Sequence, residues 1–191
     1  VQAYLACISY ADELVGRLVS ALDRSAAGGR TAIVLCGDNG FHLGEKLHWR
    51  KFALWEEATR VPMIVAMPGG FRGARIAEPV SLIDLHPTIL SAAGVPHESR
   101  DGFDLGAMIA GDVEHRRPRN VITSWLPGNH SLRNSRWRFT RYTDGGRELF
   151  DHAIDPYEWK NLASSPEYGD LCSDLSTRID EQCGSGNEAD G

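Results

Sequence analysis

The sequence lacks any apolar run long enough to cross a membrane. A membrane-spanning helix needs about 20 consecutive apolar residues, whereas residues 32–36 are enough only for a strand. The 191-residue chain also lacks a basic excess, since its formal net charge is −6, and a nucleic-acid-binding domain needs a basic face. We therefore expect neither a membrane nor a nucleic-acid partner. An anionic small substrate is not excluded, because a local pocket can be positive on an acidic protein.

Cysteine is scarce, and its spacing excludes the usual structural uses. No two of the four cysteines form a C-x-x-C motif, so a structural zinc site is not expected. Cys172 and Cys183 share one face of a predicted helix, but the rise of that helix separates them by about 16 Å, too far for a disulfide. We expect four reduced thiols, mostly packed in the interior.

The amino terminus lacks an initiator methionine and a signal-peptide pattern. Residues 1–4, Val-Gln-Ala-Tyr, have no basic lead. They resemble a chain that starts within a helix, and we expect a fragment or a cleaved product.

The first half of the chain alternates helix and strand patterns. Residues 3–24 carry apolar side chains at three- and four-residue spacing, which predicts an amphipathic helix with a buried stripe. The nearly all-apolar runs 31–36 and 61–67 predict strands covered on both faces, and residues 82–93 predict another helix. This order is typical of a doubly wound α/β sheet, in which ligands bind beyond the carboxyl ends of the strands.

From about residue 116 the sequence changes to short runs of strand-forming residues. They predict a small antiparallel sheet, and the runs are 120–125, 131–133, 137–142 and 148–151. Asp144-Gly145-Gly146, between the last two runs, is a strong hairpin signal. Residues 166–183 predict a closing helix, and the polar residues 184–191 predict a frayed tail.

Two oxygen donors, Asp38 and Asn39, follow the first predicted strand, just before Gly40. Neighbouring side chains within a strand point to opposite faces, but at a strand end both can converge on one ion. Ca²⁺ and Mg²⁺ take carboxylate and amide oxygens, so the pair is a candidate metal site. From spacing alone an ordinary Asp-Asn-Gly turn is the stronger alternative, because Asn and Gly are default turn residues.

A cationic cluster follows a few residues later. It comprises Lys46, His48, Arg50 and Lys51, with His42 nearby. Such a cluster can hold an anionic group by charge-assisted hydrogen bonds. The alternative, which composition alone favours, is a solvated loop that balances neighbouring glutamates. His130 precedes a predicted strand, where a lone loop histidine is usually structural or merely exposed.

Two segments carry a resemblance to a known family. The first runs Cys36-Gly37-Asp38-Asn39-Gly40-Phe41-His42-Leu43-Gly44-Glu45 and continues with His48-Trp49-Arg50-Lys51. The second runs from Arg138 to Leu162 and includes Asp155-Pro156-Tyr157-Glu158. Together they resemble the second half of type I sulfatases, in the alkaline phosphatase superfamily, most nearly the iduronate-2-sulfatase and choline-sulfatase-like group. The resemblance covers residues 3 to about 163.

The resemblance implies a role for each candidate residue. Asp38 and Asn39 match a pair of divalent-cation ligands, usually for Ca²⁺, and Lys51 matches the lysine that contacts the substrate sulfate. A buried lysine charge there would offset the charge that grows on sulfate oxygens in the transition state. His42 and His130 match positions that often face the substrate pocket. The turn-only interpretation of Asp38-Asn39 is correspondingly weaker.

The resemblance also implies an α/β fold and its division. Residues 1–115 are expected to form the C-terminal part of an alkaline-phosphatase-like α/β sandwich. Residues 116–183 are expected to form a small antiparallel sheet with a closing helix, and residues 184–191 a flexible tail.

The nucleophile motif of the family does not occur in this sequence. Such enzymes use a formylglycine, made from Cys or Ser in a C-x-P-x-R or C-x-A-x-R motif, and Cys36 lacks that context. In the family this motif and a second acidic pair of metal ligands lie in the N-terminal half. Ca²⁺ takes about six to eight oxygens, so we expect this chain to hold half of the metal site and no nucleophile.

The activity implied is that of a sulfatase acting on a small sulfated substrate. The N-terminal half, which a separate chain could supply, is then the expected partner. Two alternatives remain open. One is a phosphate or phosphonate ester hydrolase of the same superfamily, and the other is a truncated, non-catalytic module.

Overall fold

The structure is a computed structural model that describes residues 1–70, 73–98, 101–112 and 119–184. The part of the chain before residue 113 contains helices and short strands in the order α1 (Gln2–Asp23), β1 (Ile33–Cys36), β2 (His42–Leu43), β3 (Trp49–Arg50), α2 (Glu56–Thr59), β4 (Met63–Ala66), α3 (Leu85–Ala92) and α4 (Gly106–Ile109). The predicted helices at 3–24 and 82–93 are confirmed, as are the strands within 31–36 and 61–67.

Strands β1 and β4 form a two-stranded antiparallel sheet, with Ile33 opposite Ala66 and Cys36 opposite Met63. Doubly wound sheets are mostly parallel, and β1 with β4 is an antiparallel pair within the predicted α/β core. The expected cover on both faces is wrong in the described chain, because Leu35 and Cys36 are exposed. A sheet of two strands offers too few neighbouring elements to bury both of its faces.

Helix α1 forms as predicted, but its apolar stripe stays uncovered. No residue of this helix is buried by the rest of the described chain, and Leu18 is 72% exposed. Leu5 and Ile8, one and two turns into the same stripe, are exposed as well. The three-to-four spacing therefore marks a real apolar face that the described residues do not cover.

Asp84 connects the first half of the chain to the second. With Ser81 it forms a capping box that starts the helical turn before α3. The carboxylate is fully buried, accepts the Phe103 amide at 2.8 Å and pairs with the Arg119 guanidinium at 2.7 Å. Because Arg119 immediately precedes the C-terminal sheet, this ion pair fixes where that sheet begins.

The second half forms a four-stranded antiparallel meander with a closing helix. Its elements are β5 (Val121–Ser124), β6 (His130–Arg133), β7 (Trp137–Arg141), β8 (Arg147–Asp151) and α5 (Gly169–Cys183). The four predicted strands, the hairpin at Asp144-Gly145-Gly146 and the closing helix are all confirmed.

The described core lies between this sheet and α5. Leu132, Phe139 and Leu149 stand opposite one another across β6, β7 and β8. They pack against Cys172, Leu175 and Ile179 of α5. Those three positions are spaced by three and four residues, so one helix face buries all of them. A cross-strand row covered by a helix face is the arrangement that makes a small sheet stable.

Some expectations lie outside the described residues, and one is partly wrong. The expected boundary between residues 115 and 116 and most of the tail, residues 185–191, fall in segments that the structure does not describe, so the division of the chain stays a prediction.

All four cysteines are free thiols. Cys172 is packed as expected, whereas Cys7, Cys36 and Cys183 are exposed, so the expected packing is wrong for three of them. Among the described helices, none has the length and hydropathy needed to cross a bilayer.

Candidate active site

The turn after β1 brings three predicted site residues together. The Lys51 ammonium donates a hydrogen bond to Asn39 Oδ1 at 3.0 Å. Asp38 precedes Asn39 and accepts its backbone N–H at 2.9 Å. Asp38 is exposed and Asn39 is partly buried. Two candidate oxygen donors and one cation thus share a single edge of the β1–β4 sheet.

Gly40 seats this turn against α2. Its N–H donates to the Ala58 carbonyl oxygen at 2.9 Å. A Cβ at this position would stand 2.0 Å from the Glu57 carbonyl oxygen, a distance that no side chain tolerates. Only glycine permits so close a backbone approach. The position of Asn39 is therefore set by contact with α2 as well as by β1.

A hairpin that the sequence patterns did not predict returns the chain to this turn. Strands β2 and β3 pair His42 with Arg50 and Leu43 with Trp49, which places Lys51 beside Asn39. Lys46, Leu47 and Arg50 have positive φ values of 54°, 58° and 77°. Such conformations cost non-glycine residues of order 1–3 kcal/mol each, and they persist only where surrounding contacts impose them.

His42 is enclosed by side chains of this chain. Its Nδ1 lies 3.2 Å from the Arg50 carbonyl oxygen, and its Nε2 lies 3.6 Å from a Glu57 carboxylate oxygen. The ring also packs edge-on against His48 and Trp55, with centroids 4.8 and 5.8 Å away. These contacts tie the hairpin to α2. The substrate-contacting role of His42 stays a prediction, one that this enclosed position does not favour.

His130 lies at the start of β6 with other partners. Its Nδ1 is 2.7 Å from Ser124 Oγ and 3.8 Å from Cys183 Sγ. Burial lowers the pKa of His130, and the charge of Arg141 lowers it further. The structure therefore groups His130 with the end of α5 rather than with Asp38, Asn39 and Lys51. Its substrate role also stays a prediction.

A buried ion-pair network lies beneath the Lys51 segment, and sequence reasoning missed it. Arg138 of β7 is 2% exposed and pairs with both Glu158 and Glu56. Its guanidinium also donates to the Leu54 carbonyl oxygen at 3.1 Å and to Ser131 Oγ at 3.0 Å. The available signal was an arginine between two aromatic residues of a predicted strand, Trp137 and Phe139, since a buried charge needs partners.

Glu158 is the fully buried acid at the centre of this network. It accepts the Glu56 backbone N–H at 3.0 Å and lies 2.8 Å from His152 Nε2. Burial alone would raise the pKa of this carboxyl, but the His152 hydrogen bond and the Arg138 charge outweigh burial and hold the pKa below its ordinary value of 4.5. Glu158 is therefore ionised at neutral pH.

Two groups of residues could be considered for a metal ion. Glu56, His152 and Glu158 present ligand atoms within 4.8 Å of one another. Arg138 already lies among these carboxylates, so a metal there would face a fixed positive charge, and we assign the group a structural role. Asp38 and Asn39 are hard oxygen donors at an accessible turn, and they fit the ligand class of Ca²⁺ and Mg²⁺.

Comparisons with known proteins decide the family. The family model described as Sulfatase matches residues 1–95. The chain is 36% identical to a sulfatase of Formosa agariphila over 86% of its own length and 32% of that protein. It is 35% identical to a choline-sulfatase of Rhizobium meliloti over 86% of its own length and 33% of that protein. The chain belongs to the sulfatase family. It spans about a third of the length of the curated relatives it matches.

Solved structures agree with this assignment. A 2-O GAG sulfatase matches with a TM-score of 0.81 and 26% identity over 88% of this chain and 39% of that one. A phosphonate monoester hydrolase from Silicibacter pomeroyi matches with a TM-score of 0.78 and 25% identity over 88% of this chain and 37% of that one. The predicted alkaline-phosphatase-like α/β fold is confirmed. Membership of the sulfatase family implies a divalent metal, and the Asp38-Asn39 turn offers donors that fit one.

Proposed function

We propose that the protein carrying this chain hydrolyses sulfate esters. The observation that carries the proposal is the hydrogen bond from Lys51 Nζ to Asn39 Oδ1 at 3.0 Å. It brings a cation beside two oxygen donors of the class that hard metals prefer, and a metal ion with a cation beside it is the charge arrangement that an anionic ester needs. Membership of the sulfatase family supports a sulfate ester as that anion.

Each of the three residues has a distinct role in this proposal. Asp38 and Asn39 hold the divalent cation, because hard cations such as Ca²⁺ and Mg²⁺ take oxygen donors, and we propose Ca²⁺ on the family resemblance. When bound, that ion supplies Lewis acidity toward a sulfate oxygen. Lys51 binds the sulfate group and offsets negative charge that develops on its oxygens as the ester bond breaks. Because Lys51 is held by Asn39, its ammonium is oriented before the substrate arrives.

The nucleophile and the remaining metal ligands are proposed to come from outside this chain. The relatives are about three times as long as their matched region, and the family resemblance puts a formylglycine and a second acidic pair in the N-terminal part. We propose that this part packs on the uncovered apolar face of α1 and on the exposed Leu35 and Ile64 of the β1–β4 sheet. The small substrate would then bind between the two parts.

A phosphonate or phosphate ester is the second candidate substrate. The similarity to a phosphonate monoester hydrolase supports it, because a metal ion and a lysine suit any tetrahedral oxyanion equally. The sulfatase relatives favour the sulfate ester. Substrate choice then depends on charge, since a sulfate monoester carries one negative charge and a phosphate monoester carries up to two.

Paired substrates test this proposal. The assay uses a full-length protein, which contains this chain and the N-terminal part found in its relatives. The test compares kcat/KM for an aryl sulfate, an aryl phosphate and an aryl phosphonate monoester in the presence of Ca²⁺. We expect the sulfate to be preferred and Lys51→Met to lower kcat/KM by about 10²–10³-fold, as expected for loss of one transition-state charge stabiliser.

Lys160→Met, which changes an exposed lysine of the C-terminal region, is the matched control and should leave kcat/KM unchanged. A preference for the phosphate or the phosphonate would replace the first candidate with the second. Absence of turnover on all three substrates would favour a non-catalytic module.

A further inference from the structure

The segment that carries Lys51 has little regular structure of its own. Between residues 44 and 56 only two residues are in a strand, and Lys46, Leu47 and Arg50 have positive φ. One side of the segment is open, since Leu47 is 97% exposed and Phe52 is exposed. A segment of this kind keeps one conformation only if contacts on its other side hold it. Those contacts come from the C-terminal sheet and the turn that follows it.

The upstream end is held through Lys46. Its ammonium donates a hydrogen bond to the backbone carbonyl oxygen of Glu158. The same ammonium lies 4.6 Å from the centroid of the Phe150 ring and 5.1 Å from that of Trp55, distances at which a cation is attracted to an aromatic face. Lys46 therefore joins the start of the segment to the region around Glu158.

The downstream end of the segment is also held by Glu158. The Glu158 carboxylate accepts the Glu56 backbone N–H at 3.0 Å. Arg138, the ion-pair partner of Glu158, donates to the Leu54 carbonyl oxygen at 3.1 Å. Lys51 lies midway between the two residues that Glu158 holds, five residues after Lys46 and five before Glu56.

The backbone of Glu158 has an unusual conformation at the point where its carbonyl and its carboxylate make these two contacts. Its φ is +58°, a left-handed conformation that L-residues rarely adopt. A turn fixes it there, because the Glu158 N–H donates to the Asp155 carbonyl oxygen at 3.2 Å and the Asp155 carboxylate accepts the Lys160 N–H at 2.8 Å. An unfavourable conformation at a buried acid indicates a specific structural requirement, and here it accompanies a carbonyl that accepts from Lys46.

We propose that Glu158 is a positioning residue for Lys51: its carbonyl and its carboxylate hold the two ends of the 46–56 segment so that the Lys51 ammonium reaches Asn39. This inference rests on the proposed function, because it assigns Glu158 to the same site. The C-terminal sheet, with its following turn, thus supports the sulfate-binding lysine in addition to its own core.

A double-mutant cycle tests the coupling between Glu158 and Lys51 in the full-length protein. Glu158→Gln keeps the shape and an oxygen that accepts from Glu56, but it removes the charge that Arg138 and His152 face. We expect kcat/KM on the aryl sulfate to fall by about 10- to 100-fold, since a displacement of about 1 Å at a reacting group costs that much. In a Lys51→Met background the same change should cost less than about twofold, because coupled residues are not additive.

Glu181→Gln, an exposed glutamate on α5, is the matched control and should have no effect in either background. If Glu158→Gln lowers kcat/KM equally with and without Lys51, Glu158 supports the fold in general and the proposal is overturned. Should Glu158→Gln fail to fold, Lys46→Met replaces it. That variant keeps the apolar stem against Trp55 and Phe150. It loses the donation to the Glu158 carbonyl and the attraction of the ammonium to the two rings, and it should show the same non-additivity with Lys51→Met.

Amide hydrogen exchange separates failure of this proposal from failure of the proposed function. The measurement needs no turnover and is made on the same full-length variants. We expect Glu158→Gln to speed exchange in residues 44–57 and to leave β4 unchanged. Faster exchange there in a protein without sulfatase activity would support the positioning role and reject the proposed function. Unchanged exchange in that segment would overturn the positioning role, whatever the activity.

Discussion

Two contacts and the continuity of the chain bring Lys51 to Asn39. Gly40 packs closely against the backbone of α2, His42 contacts the Arg50 carbonyl oxygen, and Lys51 follows Arg50 directly. Together they fix a side-chain pair separated by twelve residues in the chain. At the scale of single residues, the site therefore depends on backbone contacts more than on the reactive side chains themselves.

Substitution of Gly40 should damage the proposed metal site without changing either proposed ligand, Asp38 or Asn39. In Gly40→Ala the new Cβ must displace either the turn or α2, because it would otherwise stand 2.0 Å from the Glu57 oxygen. We expect a loss of about 1–3 kcal/mol in the free energy of unfolding, as for other overpacked sites. We also expect weaker Ca²⁺ binding, measured as a smaller Ca²⁺-induced rise in Tm.

Gly29→Ala is the matched control, because a Cβ at Gly29 would meet nothing within 4 Å. If both variants bind Ca²⁺ as the unmodified protein does, the contact of Gly40 with α2 has no part in the metal site.

At the scale of elements, the C-terminal sheet was predictable and the β2–β3 hairpin was not. The sheet is encoded locally: strand-forming runs alternate with the glycine turn at Gly145, and Leu132, Phe139 and Leu149 fall in one row once the strands pair. The hairpin has strands of two residues each, too short for a period-2 pattern, and its positive φ values are imposed by contacts from distant residues. A sequence pattern reports local preference, so it could not find an element that only tertiary contacts create.

The candidate site was likewise predictable in part. The family resemblance indicated Asp38, Asn39 and Lys51, and the structure brings these three together. Reasoning from the residues alone favoured a turn and a solvated loop, because composition holds no information about which side chains meet. The Arg138–Glu158 ion pair was missed for the same reason, since its partners are twenty residues apart.

The row at the centre of the sheet should dominate its stability. Phe139→Ala removes a ring that is fully buried between β6, β8 and α5. We expect the free energy of unfolding to fall by about 3–5 kcal/mol, the usual cost of such a cavity. Urea denaturation followed by circular dichroism measures it. Trp159→Ala, which truncates an exposed ring, should change the free energy of unfolding by less than about 0.5 kcal/mol.

Acid should destabilise the C-terminal sheet through Glu158 and Asp151. The Arg136 hydrogen bond holds the pKa of Asp151 below its ordinary 3.8, and the pKa of Glu158 is held below 4.5. An acid with a lowered folded-state pKa contributes stability that is complete above its unfolded pKa and is lost as the pH falls through the folded value. We therefore expect the contribution of these two groups to be constant above about pH 5 and to decline below about pH 4.

The measurement is the free energy of unfolding against pH for the unmodified chain and for Glu158→Gln. The difference between the two curves isolates the contribution of Glu158. A difference that shrinks as the pH is raised from 5 to 7, rather than as it is lowered below 4, would show that the sign of the pKa shift is wrong.

At the scale of the whole molecule, the described chain has one well-packed region and one uncovered apolar face. The C-terminal sheet and α5 enclose their core, whereas α1 and the β1–β4 sheet leave Leu5, Ile8 and Leu18 in contact with solvent. Large exposed apolar patches usually mark interaction surfaces. This asymmetry agrees with a chain that covers about a third of its relatives' length.

On its own, the 191-residue chain should therefore self-associate through α1. We expect sedimentation velocity to show association that increases with protein concentration. The double variant Leu5→Gln, Leu18→Gln should reduce it. Both side chains are exposed in the described structure, so we expect the fold to stay intact without them. The paired surface change Asp174→Asn, Arg178→Gln, on the exposed face of α5, should leave association as it is. Equal association in all three proteins would place the contact elsewhere.

The exposed free thiols can report which surfaces of the molecule are covered, because a buried thiol reacts more slowly with a thiol reagent. Cys7 on α1 and Cys36 at the end of β1 are both exposed on the uncovered region, whereas Cys183 is exposed at the far end of α5 and Cys172 is sealed in the core. The rate at which a maleimide modifies Cys7 and Cys36 therefore reports whether another protein surface covers the apolar face. The rate for Cys183 in the same sample is the internal reference. Since Cys36 lies two residues before Asp38, modification of Cys36 also reports on the edge of the proposed metal-ligand turn.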